Sequence, residues 1–449
     1  MRSKKDKDAL EAAINAFYTG WKINIYTLKG ARTPEKIEEN LLRYYTDKEF
    51  ILLLLGREDV EAYRQLVQRT SPSIAVHLVP KAKIRNARTA ELFWELEKAR
   101  ATLRLKIRWD SVRNAYELGK MPNLREYELM PYNDVFFDLT GAYIKLMQTP
   151  DREKTRNGEV YLVQRALGGL HRLYQGEKLF YKITIPDALC SIKWEKIENE
   201  GEHAELYNTL KVNKKMLELY EQISLSLLDS AGSFDKIIVP WSGGKDSTAA
   251  LLLALKKYGR KKVTAVYVNT LVDFPENEEY VEKTAKQLGI KLVKTVADLK
   301  TKIRQGEPLP SHENRWCTGE KINALKRTIR EIADGKTLVI SGDRDSESRA
   351  RSKRPPIRKE EYWTVASPLK LWSTAHVQFY LLINGVQLNP LYYKGFYRLG
   401  CYICPSLRSW EIKLIQKYGL DKGFDEILYK KFITMKKAEC ISRRRIELY

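Results

Sequence analysis

Three groups of residues have types and spacings that could do chemistry. The first is Ser242-Gly243-Gly244-Lys245-Asp246-Ser247, which follows the β-branched run Lys236–Pro240 and opens the helical stretch Asp246–Tyr258. Adjacent glycines let the backbone approach a ligand, and a helix start behind them offers unpaired N–H groups and the positive end of its dipole. An anionic phosphate fits there, with Ser242, Ser247 and the backbone amides on its oxygens and Lys245 neutralising developing charge. This is not a Walker A loop: Val239 stands where that loop needs another glycine, and Asp follows the lysine. A carboxylate beside a polyphosphate is repulsive unless a cation bridges the two, so Asp246 points to Mg²⁺. The second group lies in Arg344–Lys359, with seven basic residues in sixteen. Its Arg344, Arg349 and Arg351 can grip phosphate or sulfate bidentately, as lysine cannot. The third group is the cysteines Cys317, Cys401, Cys404 and Cys440. A Cys-x-x-Cys spacing alone fits a redox pair, two metal ligands or a structural coincidence.

The elements that must position these residues alternate. From Ala231 onward the short apolar runs Lys236–Pro240, Val263–Val268, Lys291–Val296 and Leu338–Ser341 are separated by helical stretches at Asp246–Tyr258, Glu276–Leu288 and Glu320–Ala333. Strand–helix alternation predicts an α/β fold with a doubly wound parallel sheet, whose ligands bind beyond the C-terminal ends of its strands. Residues 242–247 and 344–351 fall at such ends. Residues 1–230 read as a mixed α+β accessory region, divisible into two subdomains. Helices are expected at Glu91–Leu103 and Asn213–Leu228, strands at Tyr161–Val163 and Leu179–Ile185, and a polar loop at Asp151–Glu159. Cys190 and His171 are isolated and take core or surface roles. Residues 231–449 read as the catalytic domain with a C-terminal helical tail.

The formal net charge of the 449 residues is +22, of which +5 falls in residues 1–230 and +17 in 231–449. Such an excess invites nucleic acid, because basic residues release counterions from phosphates. A solvated surface is the plainer account of a run such as Arg443-Arg444-Arg445. The apolar runs Ile51–Leu55 and Ala249–Leu255 fall far short of the roughly 20 residues of a membrane span, and the first residues are charged. Neither membrane insertion nor a secretory signal is expected. Five cysteines are too few and uneven for a disulfide framework, which predicts a reducing, cytoplasmic setting.

The loop Ser242–Ser247 resembles the PP-loop of the ATP pyrophosphatase superfamily, with its adenine nucleotide alpha hydrolase-like, Rossmann-like fold. Further segments sharpen the likeness: Asp273-Phe274-Pro275-Glu276, Gly342-Asp343-Arg344 with Glu347-Ser348, Ser367-Pro368-Leu369 with Trp372, Asn389-Pro390-Leu391-Tyr392, and Gly400-Cys401. Together they are similar to the phosphoadenosine phosphosulfate (PAPS) reductase family, over about residues 236–405. The resemblance implies binding of an adenine nucleotide, with ATP held by Ser242, Gly243, Gly244, Lys245, Asp246, Ser247, Asn269, Arg344, Arg349 and Arg351. Asn269-Thr270-Leu271 departs from the family's usual Asp-Thr-Gly. His376 replaces a usual Asp and is expected to be an exposed, non-catalytic helix residue. Sulfonucleotide reductases tend to lack the loop's acidic residue, so Asp246 favours ATP cleavage.

Cys317 occupies a position where iron–sulfur members carry a cysteine pair, with Trp316 replacing the first. With Cys401 and Cys404 the resemblance implies a [4Fe–4S] cluster, Zn²⁺ being the lesser alternative. Cys440 is similar to the cysteine of a C-terminal Glu-Cys-Gly motif, and fits a catalytic thiol, a fourth ligand or a surface cysteine. The expected function is ATP-dependent, pyrophosphate-releasing sulfur transfer to tRNA or other RNA, with Lys245, Asp246 and Cys440 catalytic, a sulfur donor as partner, and a Tyr-rich N-terminal half reading RNA by stacking. The alternative is a PAPS or adenosine phosphosulfate reductase drawing on a thiol reductant. A second alternative is a non-catalytic nucleotide- or nucleic-acid-binding protein.

Overall fold

The computed structural model describes residues 1–146, 156 and 158–446, with backbone only for 442–446. Most of the polar stretch 151–159 and the side chains of Arg443–Arg445 lie outside the described residues. The C-terminal half is built on a six-stranded sheet in the order Lys291–Val296, Val263–Asn269, Lys236–Pro240, Thr337–Ile340, Thr364–Ala366, Ile357–Lys359. All neighbours are parallel except the last pair, which closes the edge antiparallel. Lys236–Pro240 takes the middle because Ile237, Ile238 and Val239 are all buried, as a strand covered on both faces requires. The doubly wound α/β sheet expected from the alternation is present, with that antiparallel edge added. Helix Lys245–Tyr258 buries Thr248 through Ala254 against it. Helix Pro275–Leu288 starts on Pro275 and stops at Gly289, whose φ of 62° is left-handed.

In the N-terminal half, Ile51–Leu55 pairs in parallel with Ile74–Leu78. A second, antiparallel sheet contains Glu159–Arg165, Leu170–Gln175, Lys178–Thr184 and Lys193–Lys196, and both Asp134–Asp138 and Ala204–Glu205 pair with Glu159–Arg165. One apolar core runs across residue 230, joining Tyr116, Phe137 and Tyr220 to Leu251, Trp372 and Phe379. Phe137 stacks on Phe379 at 4.4 Å, its N–H donates to Gln378 Oε1 at 2.9 Å, and Gln378 Nε2 donates to its carbonyl at 3.0 Å. Helix Leu206–Ser230 lies beside helix Thr374–Ile383. That contact corrects the reading of His376 as exposed: the residue is fully buried and stacks on Tyr220 at 4.8 Å. Its Nδ1 lies 2.5 Å from Ser373 Oγ in the helix's first turn, and burial pushes its pKa down to about 3. Half of the fourteen tyrosines considered for base stacking are interior: Tyr18, Tyr116, Tyr143, Tyr161, Tyr174, Tyr181 and Tyr220 are buried.

Candidate functional site

The loop Ser242–Ser247 joins the central strand to its helix, as the sequence pattern requires. Gly243 has φ 74°, and a Cβ there would meet Asn277 Oδ1 at 2.5 Å, so both conformation and space demand glycine. Gly342, from the next strand over, lies so close that a Cβ would meet the Asp246 backbone at 2.8 Å. Ser242 Oγ and Ser247 Oγ are 3.1 Å apart and together tie down the turn. The Asn-Pro-Leu-Tyr segment braces it: Asn389 Nδ2 donates to Asn277 Oδ1 at 3.0 Å, Asn277 Nδ2 to the Ser242 carbonyl at 3.0 Å, and the Lys245 N–H to Tyr392 Oη at 3.0 Å. Lys245 is itself buried, with Nζ donating to the Tyr397 carbonyl at 3.1 Å and lying 5.1 Å from the ring centres of both Tyr392 and Tyr397. Burial lowers its pKa, with Asp246 opposing.

Asp246 is partly buried and already paired with protein cations. Its Oδ1 accepts from Arg344 Nε at 2.6 Å and its Oδ2 lies 3.3 Å from Lys245 Nζ. Burial would raise its pKa, but Arg344 and Lys245 outweigh that and hold it below the usual carboxylate range. Mg²⁺ would have to share this carboxylate with two protein cations, whose charge opposes it, so the residues present fit a divalent ion on Asp246 poorly.

Arg344 is correspondingly engaged. Fully buried, it also donates to Asp134 Oδ2 at 3.1 Å, Ser346 Oγ at 2.8 Å, Thr374 Oγ1 at 2.8 Å and the Trp372 carbonyl at 3.3 Å. It anchors the loop from within instead of reaching for a ligand. Arg351 pairs with Asp343 at 3.2 Å and with Glu347, while Arg349 is exposed and has no ion pair among the described residues. Asn269 turns to its own neighbourhood, donating to Glu278 Oε2 at 2.8 Å and accepting from the Leu271 N–H at 2.8 Å.

Sequence reasoning missed who holds this arginine loop. Asp134, Arg100 and Arg165 all come from the N-terminal half: Asp134 takes Arg344, Arg100 pairs with Asp345, and Arg165 Nη2 donates to the Ser346 carbonyl at 3.2 Å. Asp134 is completely buried and its pKa is depressed, because Arg344, Arg165 and hydrogen bonds outweigh the desolvation that would raise it. Single charged residues more than a hundred positions from their partners carry no local signal.

The cysteines correct two expectations. Among the described residues no group of three or more His, Cys, Asp or Glu side chains is placed to hold a metal, so the [4Fe–4S] cluster and the Zn²⁺ alternative on Cys317, Cys401 and Cys404 are withdrawn. Cys401 instead faces a cation, with Lys321 Nζ at 2.9 Å and Thr270 Oγ1 at 3.4 Å, and burial pushes its thiol up to about 12 against the pull of Lys321. A neutral thiol beside an ammonium is the reverse of a metal-bound thiolate. Cys317, Cys401 and Cys404 are free, but Cys440 is joined to Cys190 by a disulfide across 250 residues. Neither of those two is isolated, and Cys440 is no fourth ligand. Lys436, one turn before Cys440, donates to the Pro405 carbonyl at 2.7 Å, which sets this helix against the Cys401–Cys404 turn.

A doubly wound sheet with a glycine-rich loop and helix start at the end of its central strand defines an α/β domain whose loop can take an anionic group. Residues 236–407 match the phosphoadenosine phosphosulfate reductase domain. An uncharacterized protein of Methanocaldococcus jannaschii is 31% identical over 216 residues, covering 46% of this chain and 44% of the relative. A sulfate adenylyltransferase subunit 2 of Streptomyces lavendulae is 26% identical, covering 42% of this chain and 68% of the relative. An adenosine 5′-phosphosulfate reductase of Rhodococcus erythropolis is 25% identical, covering 32% and 59%. The chain thus spans less than half the length of the first of these relatives.

Proposed function

We propose that the chain is a reductase acting on an adenine nucleotide sulfate ester, PAPS or adenosine phosphosulfate, in place of the ATP-dependent RNA sulfur transfer first expected. The observation that carries this is the engagement of Asp246 by Arg344 and Lys245: the carboxylate that argued for Mg·ATP cleavage is already neutralised by protein cations. The match of residues 236–407 to the PAPS reductase domain and the likeness to a sulfate adenylyltransferase subunit 2 and an adenosine 5′-phosphosulfate reductase support the same direction. In this reading the Ser242–Ser247 amides and hydroxyls hold the nucleotide phosphate, and Arg349 approaches the sulfate. An external dithiol first reduces the Cys190–Cys440 disulfide. The Cys440 thiolate then attacks the ester sulfur, forming a Cys440–sulfonate bond as the S–O bond to the nucleotide breaks and the nucleotide leaves with the electron pair. The Cys190 thiolate attacks Cys440 Sγ, re-forming the disulfide and expelling sulfite. Sulfur falls from +6 to +4 as two thiols are oxidised, so the step balances.

A cytoplasmic setting belongs to the same proposal, since a cytosolic disulfide is typically of this transient, catalytic kind. The reduced protein is to be mixed with PAPS or adenosine phosphosulfate and a dithiol, and sulfite measured. Sulfite should be lost in Cys440→Ser, while Cys190→Ser should accumulate a sulfonate adduct on Cys440 visible by mass spectrometry. Absence of sulfite together with pyrophosphate release from ATP would overturn the reading. Stimulation of that release by tRNA would restore RNA sulfur transfer, for which the complete Ser-Gly-Gly-Lys-Asp-Ser loop is the remaining support.

A further inference from the structure

A small recess of about 30 Å³ shares Tyr143 and Tyr397 with the space that Lys245 lines, but belongs to neither the loop nor the disulfide. Tyr143, Arg165 and His171 line it from the N-terminal half, and Tyr397, Arg398 and Arg408 from the C-terminal half. Its polar groups are unevenly matched. Arg165 lays its guanidinium over the Tyr397 ring at 4.8 Å, and its buried Nε has no hydrogen-bond partner. Arg398 has no ion pair among the described residues, and Arg408 has one, to Asp187 at 3.0 Å. Glu411, also on the wall, accepts from the Arg408 N–H at 3.1 Å; burial raises its pKa, with Arg408 and Arg398 opposing.

His171 is the decisive group. It is 3% exposed, its Nδ1 lies 3.3 Å from Tyr143 Oη, and its Nε2 has no partner. With Tyr143 Oη donating to Nδ1, the ring proton sits on Nε2 and makes that nitrogen a donor. The arginines put donors on three cations, and with His171 they converge from separate segments of the chain. A planar carboxylate offers two oxygens, whereas a tetrahedral oxyanion offers an acceptor in each direction.

We propose that this recess is a second anion site, built jointly by the two halves of the chain, which binds a tetrahedral oxyanion such as sulfate or phosphate. The proposal does not rest on the reductase reading, because it is tested by equilibrium binding and not by sulfite. The oxyanion can come free or as a group on a nucleotide, and the two sources are separable. Full-length protein is titrated calorimetrically with inorganic sulfate in the presence of saturating AMP, and separately with AMP and with adenosine 3′,5′-bisphosphate. Free sulfate should bind alongside AMP, and Arg398→Gln and His171→Phe should each weaken it about tenfold while AMP affinity stays unchanged. Arg398 is exposed, so its variant keeps the test valid should His171→Phe disturb folding. Loss confined to the bisphosphate, with no free sulfate bound, would assign the site to a nucleotide's own phosphate. Sulfate that competes with AMP, or binding of both sulfate and bisphosphate untouched by Arg398→Gln and by the Arg398→Gln/Arg408→Gln pair, overturns the proposal.

Discussion

Asp134→Asn tests whether the N-terminal half holds the arginine loop in place. Asp134 Oδ1 accepts from the Val135 N–H at 2.9 Å and the Thr374 N–H at 3.0 Å, and Oδ2 from Arg344 Nη1 at 3.1 Å, Thr374 Oγ1 at 2.8 Å and Tyr397 Oη at 2.8 Å. Every partner is a donor. An asparagine keeps the shape but turns an NH₂ toward one of these two sets, so donors face donors whichever way the amide flips. It also leaves Arg344 buried with Asp246 as its remaining close carboxylate. Breaking a buried ion pair from one side costs about 3–5 kcal/mol; because Asp246 still compensates part of the charge, about 3 kcal/mol is expected. Urea unfolding at pH 7 measures this. The folded-state pKa of Asp134 is depressed, so its contribution is present above the unfolded value of about 3.9 and is lost as pH falls through the folded one. The gap between wild type and variant should therefore narrow below about pH 4. In an Arg344→Met background the same substitution should cost much less. A cost under about 1 kcal/mol, or an equal cost with and without Arg344, would refute the anchoring argument.

Gly243→Ala forces a Cβ against Asn277 at a φ of 74°, so nucleotide affinity should fall at least about tenfold with a loss of about 1–3 kcal/mol in stability, read by calorimetry and urea unfolding. Arg349→Gln should weaken sulfonucleotide binding by about one charge-assisted hydrogen bond, roughly tenfold, while stability stays within about 0.5 kcal/mol. His376 is neutral when folded, with a pKa near 3, so the unfolded chain takes up its proton first as pH falls below about 6.5. Stability should drop from this residue by up to about 1.4 kcal/mol per pH unit between those values, and His376→Gln, which still suits the third helical position, should flatten that limb in pH-dependent unfolding.

The C-terminal sheet was legible because each of its strands and helices is a local pattern. Ile237 to Val239 reads as a buried strand, Gly243-Gly244 as a turn and Ala249 to Ala254 as a helix face without knowledge of any distant residue. The braces of the loop were half legible. Asn389 and Tyr392 stood out as a motif, but that they hold Asn277 and the Lys245 N–H depends on tertiary approach. What misled was composition taken without placement. Three cysteines suggested a metal, yet Lys321 stands against Cys401. Likewise the Cys190–Cys440 bond spans 250 residues, and neither neighbourhood announces the other. His376 sits on a helix that is apolar nearly all round, and such helices are buried; read that way, the sequence would have placed it inside.

The same lesson bears on the net charge. Much of the basic stretch after residue 343 is matched internally: Arg344 by Asp134 and Asp246, Arg351 and Arg354 by Asp343, Arg358 by Glu360, Lys370 by Asp345. Meanwhile the recess beside Tyr397 gathers Arg165, Arg398 and Arg408 from positions that no charge run marks. A chain tracking a nucleic-acid backbone would show an affinity falling with salt by a log–log slope of roughly 0.7 per phosphate contacted on a single strand. A small anion held in a recess by a few partly buried donors involves far fewer released counterions. Binding of adenine nucleotide should therefore show a log–log slope no steeper than about 2 between low and moderate salt, measured by calorimetry. A steep slope for RNA, several times that of the nucleotide and at comparable affinity, would return the excess charge to the surface and to nucleic acid.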